Sequence, residues 1–175
     1  DKTEVVFQGP AGIFTLKESN KNKIFLVTGT GIAPVRSILI SNIKYPAFAQ
    51  ATVDKQISKI QIKNQKYYLF WGLKNYHDVY ILDELKQWSN ETMKQFDFKI
   101  CLSREQNLNM IPEEDRKYFS IGHVDSAFDK LTTIHQSLTT DYEFYLCGRR
   151  NVVESLKQFL LSQGIMLENI IFEKF

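Results

Sequence analysis

Ile24-Phe25-Leu26-Val27-Thr28-Gly29-Thr30-Gly31-Ile32-Ala33-Pro34-Val35-Arg36-Ser37 divides into an apolar run, a glycine turn and a helix start. The apolar run predicts a buried strand, because a half-exposed strand would alternate apolar with polar residues. Gly29 and Gly31 permit a tight turn and the close approach of a ligand. Pro34 suits the first turn of a helix, where its missing N–H is not needed. Strand, turn and helix start together make a phosphate cradle, since free N–H groups and the positive end of the helix dipole attract an anion. The same turn is compatible with tight packing alone, because a short glycine motif carries little specificity.

Upstream of this stretch, Glu4-Val5-Val6-Phe7 and Ile13-Phe14-Thr15-Leu16 read as two short extended pieces around a Gly-Pro turn. They are too short to form a sheet domain, so residues 1–23 are expected to be the tail of a preceding unit, closed by a polar linker from Lys17 to Lys23. The domain proper is expected over residues 24–175.

Downstream, Val35, Ile38, Leu39 and Ile43 recur at helical spacing, which predicts a helix from about Pro34 to Lys44, stopped by Pro46. Residues 47–66 fit helical and alternating patterns equally. Tyr67-Tyr68-Leu69-Phe70-Trp71 is a second strand, ended by Gly72. Asp78 then offers an N-cap for a helix carrying Ile81, Leu82, Leu85 and Trp88. Phe98 to Leu102 is a third strand, followed by Ser103-Arg104 and a long polar loop to Ser120. Ala127, Phe128, Leu131, Ile134 and Leu138 mark another helix. Phe144 to Cys147 is a fourth strand, closed by Gly148. Asn151 and Glu154 resemble a capping pair for a helix that Gly164 ends. Asn169 to Glu173 is the last strand. The alternation predicts a doubly wound, Rossmann-like α/β fold with five parallel strands and helices on both faces.

Composition narrows the function. The 175 residues are 43% hydrophobic and 24% charged, a globular balance. A net charge of +2, with basic residues scattered rather than massed, argues against nucleic acid. No apolar run reaches the roughly 20 residues of a membrane helix, and no signal peptide is recognisable, so a soluble domain is expected. Cys101 and Cys147 form no C-x-x-C pair, and His77, His123 and His135 lack ligand spacing, so neither a disulfide scaffold nor a metal site is expected.

In a doubly wound sheet, ligands bind beyond the carboxyl ends of the strands, where the strand order reverses. If the first and fourth strands are neighbours there, Thr28 to Gly31 and Cys147-Gly148 line one crevice. Cys147 is then either a site residue or a small buried hydrophobe.

Four segments, in order, resemble the nicotinamide-nucleotide-binding domain of the ferredoxin–NADP reductase superfamily. They are Gly9-Pro10-Ala11-Gly12-Ile13-Phe14; Gly29-Thr30-Gly31-Ile32-Ala33-Pro34-Val35-Arg36-Ser37; Gly72 with Asp78 and Glu84-Leu85; and Cys147-Gly148 with the final Glu173-Lys174-Phe175. The resemblance covers almost the whole sequence. It implies a flavin-dependent NAD(P)H oxidoreductase in which an N-terminal barrel holds FAD or FMN and this domain brings nicotinamide C4 against flavin N5. Residues 1–23 would then be the end of that barrel and its linker.

The resemblance also implies roles for individual residues. Gly29, Thr30, Gly31, Ile32, Pro34 and Gly72 would hold the nucleotide. Cys147 and Gly148 would border the nicotinamide, and Glu173 and Phe175 would approach the flavin, which makes Cys147 and Glu173 the catalytic candidates. Gly9, Pro10 and Gly12 match the segment beside the flavin. Ser103-Arg104 and Arg116-Lys117-Tyr118 resemble the pattern that holds a ribose 2′-phosphate and stacks adenine, which favours NADP(H) over NAD(H). The implied partners are an upstream flavin domain and an electron acceptor protein, haem or iron–sulfur centre; a cytoplasmic location is expected, either free or on the cytoplasmic side of a membrane-attached reductase.

Three features depart from the pattern. The flavin-binding Arg-x-Tyr-Ser motif does not occur, so these residues alone are not expected to hold flavin. Arg149-Arg150-Asn151 stands where many relatives have proline or small residues; Arg149 and Arg150 either contact phosphates or a partner, or are solvated. Residues 47–66 make an unusually long connection. A non-catalytic nucleotide-binding or docking module is the alternative, and the arginine pair is the feature most compatible with it.

Overall fold

The computed structural model describes residues 14–44, 65–92, 95–132 and 141–175. Gly9, Pro10, Gly12, His135, Ile134, Leu138, the Pro46 helix stop and nearly all of the 47–66 connection lie outside the described residues.

The strands are β1 (Asn22–Thr28), β2 (Tyr67–Leu73), β3 (Phe96–Leu102), β4 (Phe119–Ile121), β5 (Tyr142–Gly148) and β6 (Ile170–Lys174). They form one parallel sheet in the order β4-β3-β2-β1-β5-β6. The helices are α1 (Ile32–Leu39), α2 (Leu82–Glu91), α3 (Val124–Thr132) and α4 (Arg150–Ser162). The doubly wound fold is as expected, with six strands rather than five. The added strand is β4, whose three residues follow a polar loop and pair Ile100 with Phe119 and Leu102 with Ile121.

Alternate residues of each strand feed two separate cores, as the period of a strand requires. Phe25, Val27, Leu69, Trp71, Phe98, Ile100 and Tyr145 pack with Ile32, Val35 and Leu39 of α1 and Leu85 and Trp88 of α2. Ile24, Leu26, Phe70, Phe144 and Leu146 pack with Val124, Ala127 and Phe128 of α3 and Val153, Leu156 and Leu160 of α4. Each fully buried side chain of this size contributes about 1.5–3 kcal/mol.

Several local expectations are corrected. Lys23 belongs to β1 rather than to a solvated linker: it is 1% exposed, and its Nζ lies 2.7 Å from the Glu143 carboxylate on the adjacent strand. Gly72 lies inside β2 rather than ending it. Asp78 does not cap α2. It closes a capping box with Asn75 around a single tight turn, Tyr76–Asp78, and α2 starts later, at Leu82. Asn151 and Glu154 lie within α4, with Arg149 at the N-cap and no side-chain cap; Glu154 instead pairs with Lys174 at 2.9 Å. Gly164, at φ +82°, ends α4 as expected, with Gly164 N–H donating to Leu161 O and Ile165 N–H to Leu160 O.

Candidate nucleotide site

The strand order reverses between β1 and β5, and the turns that leave them meet at one point. A Cβ on Gly31 would lie 2.5 Å from the backbone oxygen of Cys147, so only glycine allows this approach. Gly148 has φ +152°, and a Cβ there would lie 2.2 Å from Thr28 Oγ1. The two glycine motifs are therefore each other's packing surface.

Above this contact opens a cavity of about 780 Å³. Thr28, Gly29, Thr30, Gly72 and Ser103 line it from the strand ends, while Arg149, Asn151 and Ser155 line it from α4 and Phe175 from the residue after β6. Ile32 and Cys147 are buried and do not line it. Pro34 is half-buried inside α1, at its third position. Three lining residues carry no signal in their immediate sequence: Lys74 after β2, Tyr80 before α2 and His123 before α3. Each sits in a connection that follows a strand's carboxyl end, and that placement is the only clue available to them.

The turn Gly29–Gly31 and the start of α1 have no side-chain cap, and neither first turn contains an acidic residue. Gly29 and Thr30 bring uncapped amides to the cavity lining, while Gly31 is buried and Ile32 N–H donates to Gly29 O. That donor set fits the phosphates of a nucleotide. Basic Lys74 and Arg149 stand around the cavity, opposed by Asp78 and Asp125.

At the β5–β6 end, Cys147 pairs with Glu173 in the strand register, with Cys147 Sγ 4.0 Å from Glu173 Oε2. Burial first, and then the nearby Glu173 carboxylate, push the Cys147 thiol up to about 11 against the pull of the Gly148 amide. At neutral pH the thiol stays protonated and is a donor rather than a nucleophile. Phe175 N–H donates to Gly148 O and Arg150 N–H donates to Phe175 O, both at 3.3 Å. These two bonds hold the backbone of Phe175 against the Cys-Gly turn while its side chain stays exposed.

The pattern expected for a 2′-phosphate is split. Ser103 lines the cavity, and the Ser103 and Arg104 amides donate to Leu73 O at 3.0 Å and Lys74 O at 2.9 Å, which fixes the backbone beneath an exposed Arg104. Arg116 and Tyr118 lie outside the cavity lining. Arg116 Nε donates to Ile111 O at 3.1 Å, and Tyr118 is buried in a parallel stack on Phe98 with centroids 4.8 Å apart. Arg150 is exposed and contributes its backbone N–H to the clasp on Phe175.

Among the described residues, no cluster of three or more His, Cys, Asp or Glu could hold a metal ion, and no helix is long and apolar enough to cross a membrane.

Residues 25–158 match the family described as the oxidoreductase NAD-binding domain. The sequence is 25% identical over 171 residues to the toluate 1,2-dioxygenase electron transfer component of Pseudomonas putida, spanning 98% of this chain and 42% of that protein. It is 22% identical over 173 residues to a component of the Na(+)-translocating NADH-quinone reductase of Neisseria meningitidis, spanning 98% of this chain and 37% of that protein. The chain thus spans about two fifths of the length of the curated relatives it matches. Among solved structures it is similar to the Amycolatopsis cytochrome P450 reductase GcoB, with a TM-score of 0.69 at 21% identity over 95% of this chain and 42% of that one. The ferredoxin-NADP+ reductase of Plasmodium falciparum with 2′P-AMP gives 0.62 at 20% identity, over 94% of this chain and 58% of that one. By its sequence match over residues 25–158, this chain belongs to the oxidoreductase NAD-binding domain family.

Proposed function

We propose that this domain binds a reduced nicotinamide nucleotide and positions its nicotinamide for hydride transfer to FAD or FMN held by a preceding domain, from which electrons pass to a further acceptor on the cytoplasmic side. The observation that carries the reading is the meeting of an uncapped glycine turn, whose Gly29 and Thr30 line the cleft, with the Cys147-Gly148 turn against Gly31. The relatives whose names describe an electron transfer component and an NADH-quinone reductase support it. The bound nucleotide supplies the hydride; the protein supplies orientation.

The residues divide the work by position. The amides of Gly29, Thr30 and Gly31 hold the pyrophosphate, assisted by the charges of Arg149 and Lys74. Cys147, Gly148 and Glu173 border the nicotinamide, and the protonated thiol offers a polar contact without competing as a nucleophile. Phe175, clasped between Gly148 and Arg150, presents its ring to the flavin side. Residues 1–23 lead in from the flavin domain, with Gly9, Pro10 and Gly12 beside the flavin.

For the coenzyme we propose NADP(H) over NAD(H), on the strength of Ser103 in the cleft and Arg104 beside it. Arginine suits a 2′-phosphate because its planar fork donates two hydrogen bonds at once. Calorimetric titration of wild type and Arg104→Ala with NADP⁺ and NAD⁺ tests this. The variant is expected to lose about 1.5–3 kcal/mol of NADP⁺ affinity, the worth of a charge-assisted hydrogen bond, with little change for NAD⁺. Equal losses for both coenzymes would remove Arg104 from the 2′-phosphate site.

A further inference from the structure

Trp71 sits mid-sheet in β2, paired with Val27 of β1 and Ile100 of β3, and is fully buried. A buried tryptophan usually finds a partner for its indole N–H. Trp71 finds the carbonyl of Gly29, 42 residues earlier in the chain, at 2.9 Å. That carbonyl also accepts from Ile32 N–H, so both of its lone pairs are engaged inside the protein. The other tryptophan, Trp88, has no partner for its Nε1 among the described residues, so the bond to Gly29 is a feature of this position rather than of buried indoles in this fold.

The consequence follows from peptide geometry. In a planar trans peptide, the C=O of one residue and the N–H of the next point in opposite directions. Holding the Gly29 carbonyl inward therefore turns the Thr30 amide outward, and Thr30 lines the cleft. Gly29 sits at φ +55°, a left-handed conformation that glycine adopts without steric cost. On the solvent side of the same indole lies Tyr80, with ring centroids 5.0 Å apart and planes at 87°. Tyr80 is 61% exposed and also lines the cleft.

We propose that Trp71 is a positioning residue for the coenzyme, aiming the Thr30 amide at a phosphate through its bond to the Gly29 carbonyl, and that Tyr80, braced on the same indole, is the aromatic wall that closes against the bound nucleotide. This rests on the coenzyme reading given above. It adds two aromatic side chains outside both glycine motifs, Trp71 orienting the phosphate-binding amide and Tyr80 walling the nucleotide.

The test compares ADP with adenosine, so that the phosphate contribution is read separately, and uses NADP⁺ as the reference ligand. Trp71→3-benzothienylalanine keeps the shape of the ring and deletes the N–H; Trp71→Phe is the genetically simple counterpart. Both are expected to bind ADP at least tenfold more weakly than wild type while adenosine affinity stays within about twofold. A merely structural role would weaken both ligands together. Tyr80→Ala, at an exposed position where folding is not at stake, is expected to weaken ADP and adenosine alike by fivefold or more, and Tyr80→Phe to restore most of that loss. Unchanged selectivity for ADP over adenosine in the Trp71 variants, or unchanged affinity in Tyr80→Ala, would overturn the inference. Failure of wild type to bind NADP⁺ would instead overturn the coenzyme reading, and this inference with it.

Discussion

Gly31 and Cys147 approach so closely that a single added methyl at Gly31 would meet the Cys147 carbonyl oxygen at 2.5 Å and its carbon at 2.7 Å. Both partners are backbone, so no side chain can swing aside. The glycine turn after β1 and the Cys-Gly turn after β5 are thereby locked into one rigid rim. Gly31→Ala is expected to destabilise the fold by about 1–3 kcal/mol, the usual cost of overpacking. Gly29→Ala meets no atom within 4 Å and bears only the cost of its left-handed backbone, about 1–2 kcal/mol. Chemical denaturation of the two variants separates the cases: Gly31→Ala should also weaken nucleotide binding by displacing the rim. A Gly31→Ala protein with wild-type stability would contradict this packing.

Gly148 faces Thr28 across the same rim, and here one partner is a side chain. Gly148→Ala places a Cβ 2.2 Å from Thr28 Oγ1, and its φ of +152° is itself unfavourable to any residue with a Cβ. Thr28→Ala removes the hydroxyl but not the backbone strain. The double variant is therefore expected to recover part of the stability lost in Gly148→Ala and not all of it. A double-mutant cycle from thermal melts reads this directly; strict additivity would mean that the clash is relieved some other way.

At the opposite end of the sheet, Lys23 and Glu143 form a buried pair. Ser19 Oγ donates to Glu143 Oε1 at 2.8 Å, Tyr145 OH donates to Glu143 Oε2 at 2.8 Å, and Lys17 N–H donates to Tyr145 OH at 2.9 Å. Burial on its own would raise the Glu143 pKa, but the bonds from Lys23, Ser19 and Tyr145 outweigh it and leave the carboxyl below its ordinary value. The folded state thus holds the ionised form more strongly than the unfolded state does. This contribution is complete above the unfolded pKa of about 4.3 and disappears as pH falls through the lower folded value. Glu143→Gln should destabilise the protein by about 3–5 kcal/mol at pH 7, because Lys23 is left buried without a counter-charge. Its stability should also fall less steeply than wild type between about pH 5 and pH 3. Parallel pH profiles would show that Glu143 is not the group responsible.

What the sequence disclosed depended on distance along the chain. The strand from Ile24 to Val27 and the turn at Gly29–Gly31 are local signals, and the pairing of β1 with β5 follows from the doubly wound order once the strands are counted. β4 escaped because Phe119-Ser120-Ile121 is too short to show a period. Lys23 read as linker because its partner, Glu143, lies 120 residues away. Asp78 read as a helix cap because Asn75, which uses it, is not itself followed by an apolar stripe. Tyr118 fits an adenine platform by resemblance alone, yet Phe98 on the neighbouring strand occupies one face of its ring. The roles of Lys74, Tyr80 and His123 in the cleft, and of Trp71 beneath it, exist only once the sheet is assembled.

Phosphates of a nicotinamide nucleotide seated in the Gly29–Gly31 turn would be seen in an amide-resolved NMR titration of the 175-residue chain with NADP⁺. The amides of Gly29, Thr30, Gly31 and Ile32 are expected to show the largest shifts, with smaller ones at Ser103, Gly148 and Arg149. Thr30→Trp, which fills the cradle, should abolish them in a protein that remains folded. Saturable shifts centred elsewhere, with the Gly29–Ile32 amides unmoved, would contradict that placement.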